Sequence, residues 1–386
     1  MMTEPLRLGV IGANPEAGWA SRAHLPAAQA LAEIDLVAVA TTRTESAEAA
    51  REAYGARNAY ADASRLLADP DVEAVTIAVR VPGHGALVEQ ALLAGKHVYC
   101  EWPLTTDTSS ASALHRLAAD RGLETMIGLH GARALPIRWV AETIARGELG
   151  ELLSVSVHAV HALGGRTLPQ SKTYQADAAS GANVLTITTG HALDTVCAVA
   201  GEIAELSATV ETRLPRITVV ETGESIRATS PDEVSITGTL DNGAVLTARV
   251  QRGLGYEEMG LTLDIRGELG AIHVTARPGI HSGNVEIVHV DGTGESRVMS
   301  PPEPSPALAG VPSGPPAFVA SMYLDFVRAI RTGERAGPDF AHAVRRHRLL
   351  DSIVAAAAEG VRQSARTGEA LVPTSVSKPS REGASL

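Results

Sequence analysis

LRLGVIGANPEAGWASRAHLPA, residues 6–27, is the stretch on which the reading of this chain turns. Leu6, Leu8, Val10 and Ile11 form a short apolar run that stops at Gly12, and helical spacing begins near Trp19 and continues through Ala20, Ala23 and Leu25. A strand, a glycine turn and a helix in that order aim the unpaired amides and the positive dipole end of a helix at one point, where a dinucleotide pyrophosphate can sit. The same order also describes an ordinary strand-to-helix turn. The glycine pattern is irregular: Asn14 stands where G-x-G-x-x-G wants its second glycine, and Gly18 comes late. Asn accepts left-handed backbone angles, so a longer turn of the same kind can form.

Composition narrows what the rest can be. With 386 residues, 45% hydrophobic and 20% charged, the chain is long enough for two folded domains. Aromatic content of 3% and a net charge of −11 argue against a nucleic-acid surface, which needs stacking rings and cations. Cys100 and Cys197 lie in apolar runs, form no metal-binding pattern and read as small buried hydrophobes. MMTEPLRLGV has no basic region followed by an apolar stretch, and no run nears the roughly 18 apolar residues of a membrane span. A cytoplasmic protein with no membrane partner is the expectation.

Outward from residue 27 the same grammar repeats. EIDLVAVATTR reads as a second buried strand ending at Thr41, Thr42 and Arg43. An acidic residue at that strand end would hold the ribose hydroxyls of NAD; none is present, and two hydroxyls followed by Arg suit a 2′-phosphate, a lean toward NADP over NAD. Arg43 could equally be a solvated loop arginine. VEAVTIAVRVPGHG gives a strand over 72–79, GALVEQALLAGK a helix closed by Gly95, HVYCEWPL the next strand, and ETMIGLHGAR a further one ending near His130. Lys96, at that helix end, reads as a surface residue. Strands alternating with helices imply a doubly wound parallel sheet over residues 1–133.

From about Gly150 the pattern changes. LLSVSVHAV, AELSATVETR, DEVSITGTLDNGAVLTARVQRG, LTLDIRGELGAIHVTA and NVEIVHVDG alternate in polarity and are broken by turn signals, so residues 134–316 are expected to form an α+β domain around a large, open, mostly antiparallel sheet. An open sheet with helices on one face leaves the other to be covered, which predicts a homo-oligomer through it. Residues 301–316, PPEPSPALAGVPSGPP, read as a crossover, 317–372 as two helices returning toward the first domain, and 373–386 as a disordered tail.

With these elements placed, the chain resembles the glucose-fructose oxidoreductase / inositol dehydrogenase family, Gfo/Idh/MocA, over nearly all of residues 6–372. GVIGANPEAGWA, the strand-loop-helix from Val72 to Leu104, GARALPIRWVAETIARGELGEL, TTGHALDTVCAVAG, LDIRGELGAI and HRLLDSI carry the likeness by their order and spacing. The resemblance implies a Rossmann-type domain followed by an open-sheet domain, a nicotinamide cofactor and a carbohydrate-like small-molecule substrate. Glu-Trp-Pro at Glu101, Trp102 and Pro103 replaces the Glu-Lys-Pro of members that oxidise alcohols, and Ile187 replaces an Asp. Trp carries no ionisable proton at neutral pH. This variant, with its Gly-Trp-Ala loop, looks like the Gal80-like branch, which implies a second possibility: a protein that binds the dinucleotide and regulates a partner without turnover.

The residues that follow for the site are Gly12, Asn14, Gly18, Trp19, Thr41, Thr42, Arg43, Val79, His84, Glu101, Trp102, Pro103 and His130 toward the cofactor, and His191, Asp194 and Tyr174 toward the chemistry. His191 and Asp194 are three apart, so on a helix they share a face, with Asp194 orienting an acid/base imidazole or, alternatively, capping the helix. Tyr174 or Lys172 could supply the proton donor that Trp102 lacks, or could be solvated loop groups, as could His158 and His161. His84 either lines the cofactor side or caps a helix, and Trp102 shields the nicotinamide ring, stacks on a sugar or fills the core. No residue set suggests a metal.

Overall fold

A computed structural model describes residues 4–161, 165–253, 260–279 and 284–365; the expected tail at 373–386 lies outside the described residues. Six parallel strands open the chain: β1 Leu6–Ile11, β2 Ile34–Ala40, β3 Asn58–Tyr60, β4 Ala74–Ile77, β5 His97–Cys100 and β6 Thr125–Ile127. They lie in the order β3-β2-β1-β4-β5-β6, so the chain reverses direction across the sheet between β1 and β4. Helices α1 Leu25–Ala30, α2 Thr44–Tyr54, α3 Ala63–Leu67, α4 His84–Leu93 and α5 Thr108–Asp120 make the crossovers. β1, β2 and β4 are almost wholly buried, as strands covered on both faces must be. Asp107 caps α5 by accepting from Ser110 N, and the Ser109 hydroxyl, followed by that amide, pulls its carboxyl down to about 2.

After α6 (Leu135–Ala145) comes the second sheet. Its strands are β7 Leu152–His161, β9 Ile203–Glu211, β12 Glu233–Leu240, β13 Val245–Arg252, β14 Gly260–Gly267, β15 Gly270–Arg277, β16 Asn284–Asp291, β17 Ser296–Met299 and β18 Gln363–Ser364. A separate three-stranded sheet, β8 Thr167–Leu168, β10 Arg216–Val219 and β11 Ser225–Arg227, is not visible in the sequence pattern because its strands are two to four residues long. All pairings in the nine-stranded sheet are antiparallel except β7 with β13. Strict alternation puts Val155, Val157 and Ala159 of β7 inside, against α7 (Thr189–Ala200), and Ser156 and His158 on the open face.

Pro315 and Pro316 begin α8 (Pro315–Thr332) instead of ending the crossover, since the first helical turn needs no proline N–H. α8 buries Val319, Tyr323 and Phe326 in the same core as Leu6, Leu8 and Leu25, so it belongs to the first layer. α9 (Phe340–Glu359) packs on α5 and β9 and joins the two sheets through one apolar core. Among the described residues no helix is long and apolar enough to cross a membrane.

Candidate dinucleotide and substrate site

The crevice lies at the carboxyl ends of β1, β4, β5 and β6, where the strand order reverses and where ligands of open α/β sheets bind. Gly12 leaves β1 at φ 92°, and a Cβ there would stand 2.5 Å from Ala78 O, so only glycine lets the turn pass so close to the end of β4. Gly12 N and Ala13 N donate to Ala40 O, which ties the turn to β2. The Asn14 side chain folds back and accepts from Glu16 N at 3.1 Å. The loop therefore keeps its shape without the second glycine, and Gly18, at φ 107°, turns it into the helical segment at Ala20, whose first amides have no intrahelical acceptor. A glycine cradle opening onto a helix start is a fit for a pyrophosphate.

Three rings cross the crevice from this loop. Trp19 stacks on His130 with centroids 5.3 Å apart and planes 21° off parallel, and His130 meets His191 edge-on at 5.4 Å. His130, at the end of β6, is held by Gly128 O at 3.0 Å. His191 begins α7 and stays half-buried, and His161 at the end of β7 reaches the same helix start, with Nδ1 3.0 Å from the Thr188 hydroxyl. At the rim, the Arg80 guanidinium lies over the Tyr174 ring at 4.5 Å, and Lys172 is 6.0 Å from that ring. Thr42 and Arg43 are exposed beyond β2, while the Thr41 hydroxyl is occupied with Ser46 and Arg43 O.

The other candidates are held by partners of their own, and Trp102 takes the core-filling alternative. Asp194, on α7, is buried, with Oδ1 2.6 Å from His342 Nε2 and 2.7 Å from Arg346 Nε, so its carboxylate ties α7 to α9. Burial alone would raise its pKa; the His342 hydrogen bond and the Arg346 guanidinium more than offset that and hold it below the usual carboxylate range. Trp102 is 4% exposed, donates from Nε1 to Thr186 O at 2.8 Å and rests on His347 at 4.9 Å, so it fills the joint between the two sheets. His84 is buried between Pro103 O at 2.8 Å and Val79 O at 3.1 Å; burial lowers its pKa, and it clamps two crevice loops together. Lys96 is not a surface group: it is buried, donating to Asp69 O and Val72 O. His158 sits on the open face of the second sheet, away from the crevice.

The sequence reading missed His24 and Tyr323. His24 is fully buried, with Nδ1 2.8 Å from the Tyr323 hydroxyl and Nε2 donating to Glu101 Oε1 at 2.8 Å. A histidine among Ala20, Ala23 and Leu25 on an apolar helix face was the one available signal.

Comparison with known proteins agrees with this geometry. Residues 6–129 match the oxidoreductase family with an NAD-binding Rossmann fold, and residues 136–276 match the Gal80p C-terminal domain. The dTDP-3,4-didehydro-2,6-dideoxy-α-D-glucose 3-reductase of Streptomyces antibioticus is 30% identical over 92% of this chain and 98% of its own. The chain belongs to the Gfo/Idh/MocA oxidoreductase family. The galactose/lactose metabolism regulatory protein GAL80 of Saccharomyces cerevisiae is 24% identical over 75% of this chain and 71% of its own. A structure of levoglucosan dehydrogenase in complex with NADH and levoglucosan superimposes with a TM-score of 0.80 at 22% identity, covering 94% of this chain and 100% of that one. Both an enzyme and a regulator therefore share this fold.

Proposed function

We propose that the protein is a nicotinamide-dinucleotide-dependent oxidoreductase that acts on a sugar or a related polyhydroxylated or cyclic carbonyl compound. The observation that carries this reading is the line of rings from Trp19 through His130 to His191, which puts a titratable imidazole across the crevice from the phosphate-binding loop. When bound, the nicotinamide supplies or accepts the hydride. The Gly12–Gly18 loop and the helix start behind it hold the pyrophosphate, and His191 takes or gives the proton of the substrate oxygen. Asp194, fastened to Arg346, keeps α7 and therefore His191 in place. Tyr174, under the Arg80 guanidinium, is the further proton donor this reading holds in reserve. The sugars in the relatives' names support the substrate class, and exposed Arg43, with no acidic partner among the described residues, supports NADP(H) over NAD(H). The absence of a spanning helix among the described residues is consistent with a cytoplasmic protein.

Burial of Trp102 favours a second reading. The position of the family lysine holds an indole bonded to Thr186 O, so the site lacks the usual proton donor, as a regulatory dinucleotide sensor would. A redox-assisted elimination on a glycoside is a variant of the first reading.

Titration with NADH and NADPH, followed by a panel of sugars and ketones with both cofactors, separates these readings. The enzyme reading expects turnover, with His191→Ala lowering kcat by about 10²–10⁴-fold at unchanged cofactor affinity. An equally active variant would remove His191 and bring forward Tyr174 or Lys172, and tight cofactor binding without turnover would favour the sensor.

A further inference from the structure

A cavity of about 480 Å³ lies between α6, α7 and the first turns of α9. Its volume is that of a small-molecule site, and Ala132, Ala141 and Ala198 keep it open where longer side chains would fill it. The walls are charged. Three guanidinium groups, of Arg133, Arg138 and Arg346, face three carboxylates, of Glu142, Asp194 and Glu202, with His342 beside them.

Only part of that charge is used inside the fold. Arg346 is answered completely: Nε donates to Asp194 Oδ1 at 2.7 Å, and Nη1 and Nη2 donate to the two Glu202 oxygens at 2.6 and 2.8 Å. Buried Asp194 takes both Arg346 and His342 on Oδ1, and Oδ2 has no partner among the described residues. Arg133 donates from Nη2 to Asp325 at 2.8 Å, and its other nitrogens have no partner among the described residues. Arg138 and Glu142, one turn apart on α6, are exposed and form no ion pair among the described residues. Two cations and two carboxylates therefore keep unused capacity around one space.

That pattern selects a ligand by charge. A bare anion drawn to Arg133 and Arg138 would stand against Glu142 and Asp194, and a bare cation would meet the reverse. A neutral polyol would strip water from all four groups and bring no charge to any of them. A ligand carrying both signs close together satisfies them all: a carboxylate takes the planar fork of a guanidinium, and an ammonium gives its donors to carboxylate oxygens. A free α-amino acid carries both on one carbon, whereas a peptide carries them at opposite ends. We propose that the cavity binds a free α-amino acid, its carboxylate on Arg133 and Arg138 and its ammonium on Asp194 Oδ2 and Glu142.

The walls give such a ligand a hold on the crevice. The turn His130–Arg133 presents His130 to Trp19 and lines the cavity with Ala132 and Arg133. α7 carries His191 to the edge of His130, and Asp194, three residues on, lines the cavity. A bound amino acid ties that turn and α6 to α7 and so braces the two imidazoles against each other. Occupancy is expected to change NADH affinity about fivefold or more, and by linkage NADH changes amino-acid affinity by the same factor. The coupling rests on the dinucleotide reading of the crevice; the site itself does not.

The test uses the full chain and every standard α-amino acid singly at about 10 mM, read by melting temperature and calorimetry. At least one is expected to raise the melting temperature and bind one to a chain, while acetate, ethylamine, sorbitol and inorganic phosphate do neither. Arg138→Met removes an exposed guanidinium and is expected to weaken that binding about tenfold or more. Ala198→Phe, at an exposed position of α7, fills the cavity and is expected to abolish it. Without amino acid, both variants are expected to bind NADH within about twofold of wild type, and their melting temperatures show that they fold. Should Ala198→Phe unfold, Arg138→Met decides. No binder in the set, binding that a folded variant leaves intact, or binding of phosphate or sorbitol in place of an amino acid overturns the site. An amino acid that binds and leaves NADH affinity unchanged overturns the coupling alone. A wild type that binds neither NADH nor NADPH removes the dinucleotide reading and the coupling with it, and calorimetry then decides the site in the same way.

Discussion

His347 shows how a residue of no chemical interest can govern the acid behaviour of the protein. It is buried in α9 against the Trp102 ring, and burial pushes its pKa down to about 4. In the unfolded chain the same imidazole takes a proton near pH 6.5. Stability is therefore complete above about pH 6.5 and declines as pH falls toward 4, by at most about 3 kcal/mol from this residue. His84 and His97, also lowered by burial, act with the same sign. The measurement is the difference between wild type and His347→Gln in melting temperature between pH 7 and 4: the variant should lose part of the slope, and identical slopes would show that His347 is protonated within the fold. Legibility at this scale was uneven. The turn at Gly12 was readable from its local motif, whereas the bonds of His24 to Glu101 and Tyr323, 77 and 299 positions away, and of Asp194 to His342 and Arg346, 148 and 152 positions away, were not.

At the scale of elements, the junction between α7 and the loop after β5 is closely fitted. Gly190, one residue before His191, has the Trp102 indole directly against its Cα, and a Cβ there would collide with the ring nitrogen that donates to Thr186 O. The ring is buried and cannot swing away. Gly190→Ala should therefore cost about 1–3 kcal/mol of stability by overpacking, measured by denaturant unfolding, and shift His191 enough to lower any turnover. A variant as stable as wild type would show that the indole is free to move. The Rossmann alternation and the hairpins of the second sheet were legible because each rests on periodicity and turn residues within one stretch. The sheet of β8, β10 and β11 was not, since strands of two to four residues carry no measurable period.

For the whole molecule, the open face of the nine-stranded sheet bears on assembly. Ser156, Thr247, Arg249, Asp264 and His273 occupy it, with Ser156 bonded to Thr247 and His273 to Asp264. We propose that a second copy covers this face, through polar and charged contacts and not through an apolar seal. Such an interface predicts association that weakens as salt is raised. Light scattering at low and high ionic strength checks it; a monomer under both conditions ends the proposal.

By itself the sequence determined the two architectures, their order and the switch point where the crevice opens, because hydrophobic period, glycine position and turn chemistry act over neighbours. It also identified Trp102 as the departure from the family motif. Only the tertiary structure decided what that departure means, sealing the indole between α7 and α9, and which polar groups face the crevice. Burial, hydrogen-bond partners and pKa shifts depend on elements brought together from distant parts of the chain. Glu101, one residue before Trp102, faces His24 and Gly128 instead of solvent for that reason.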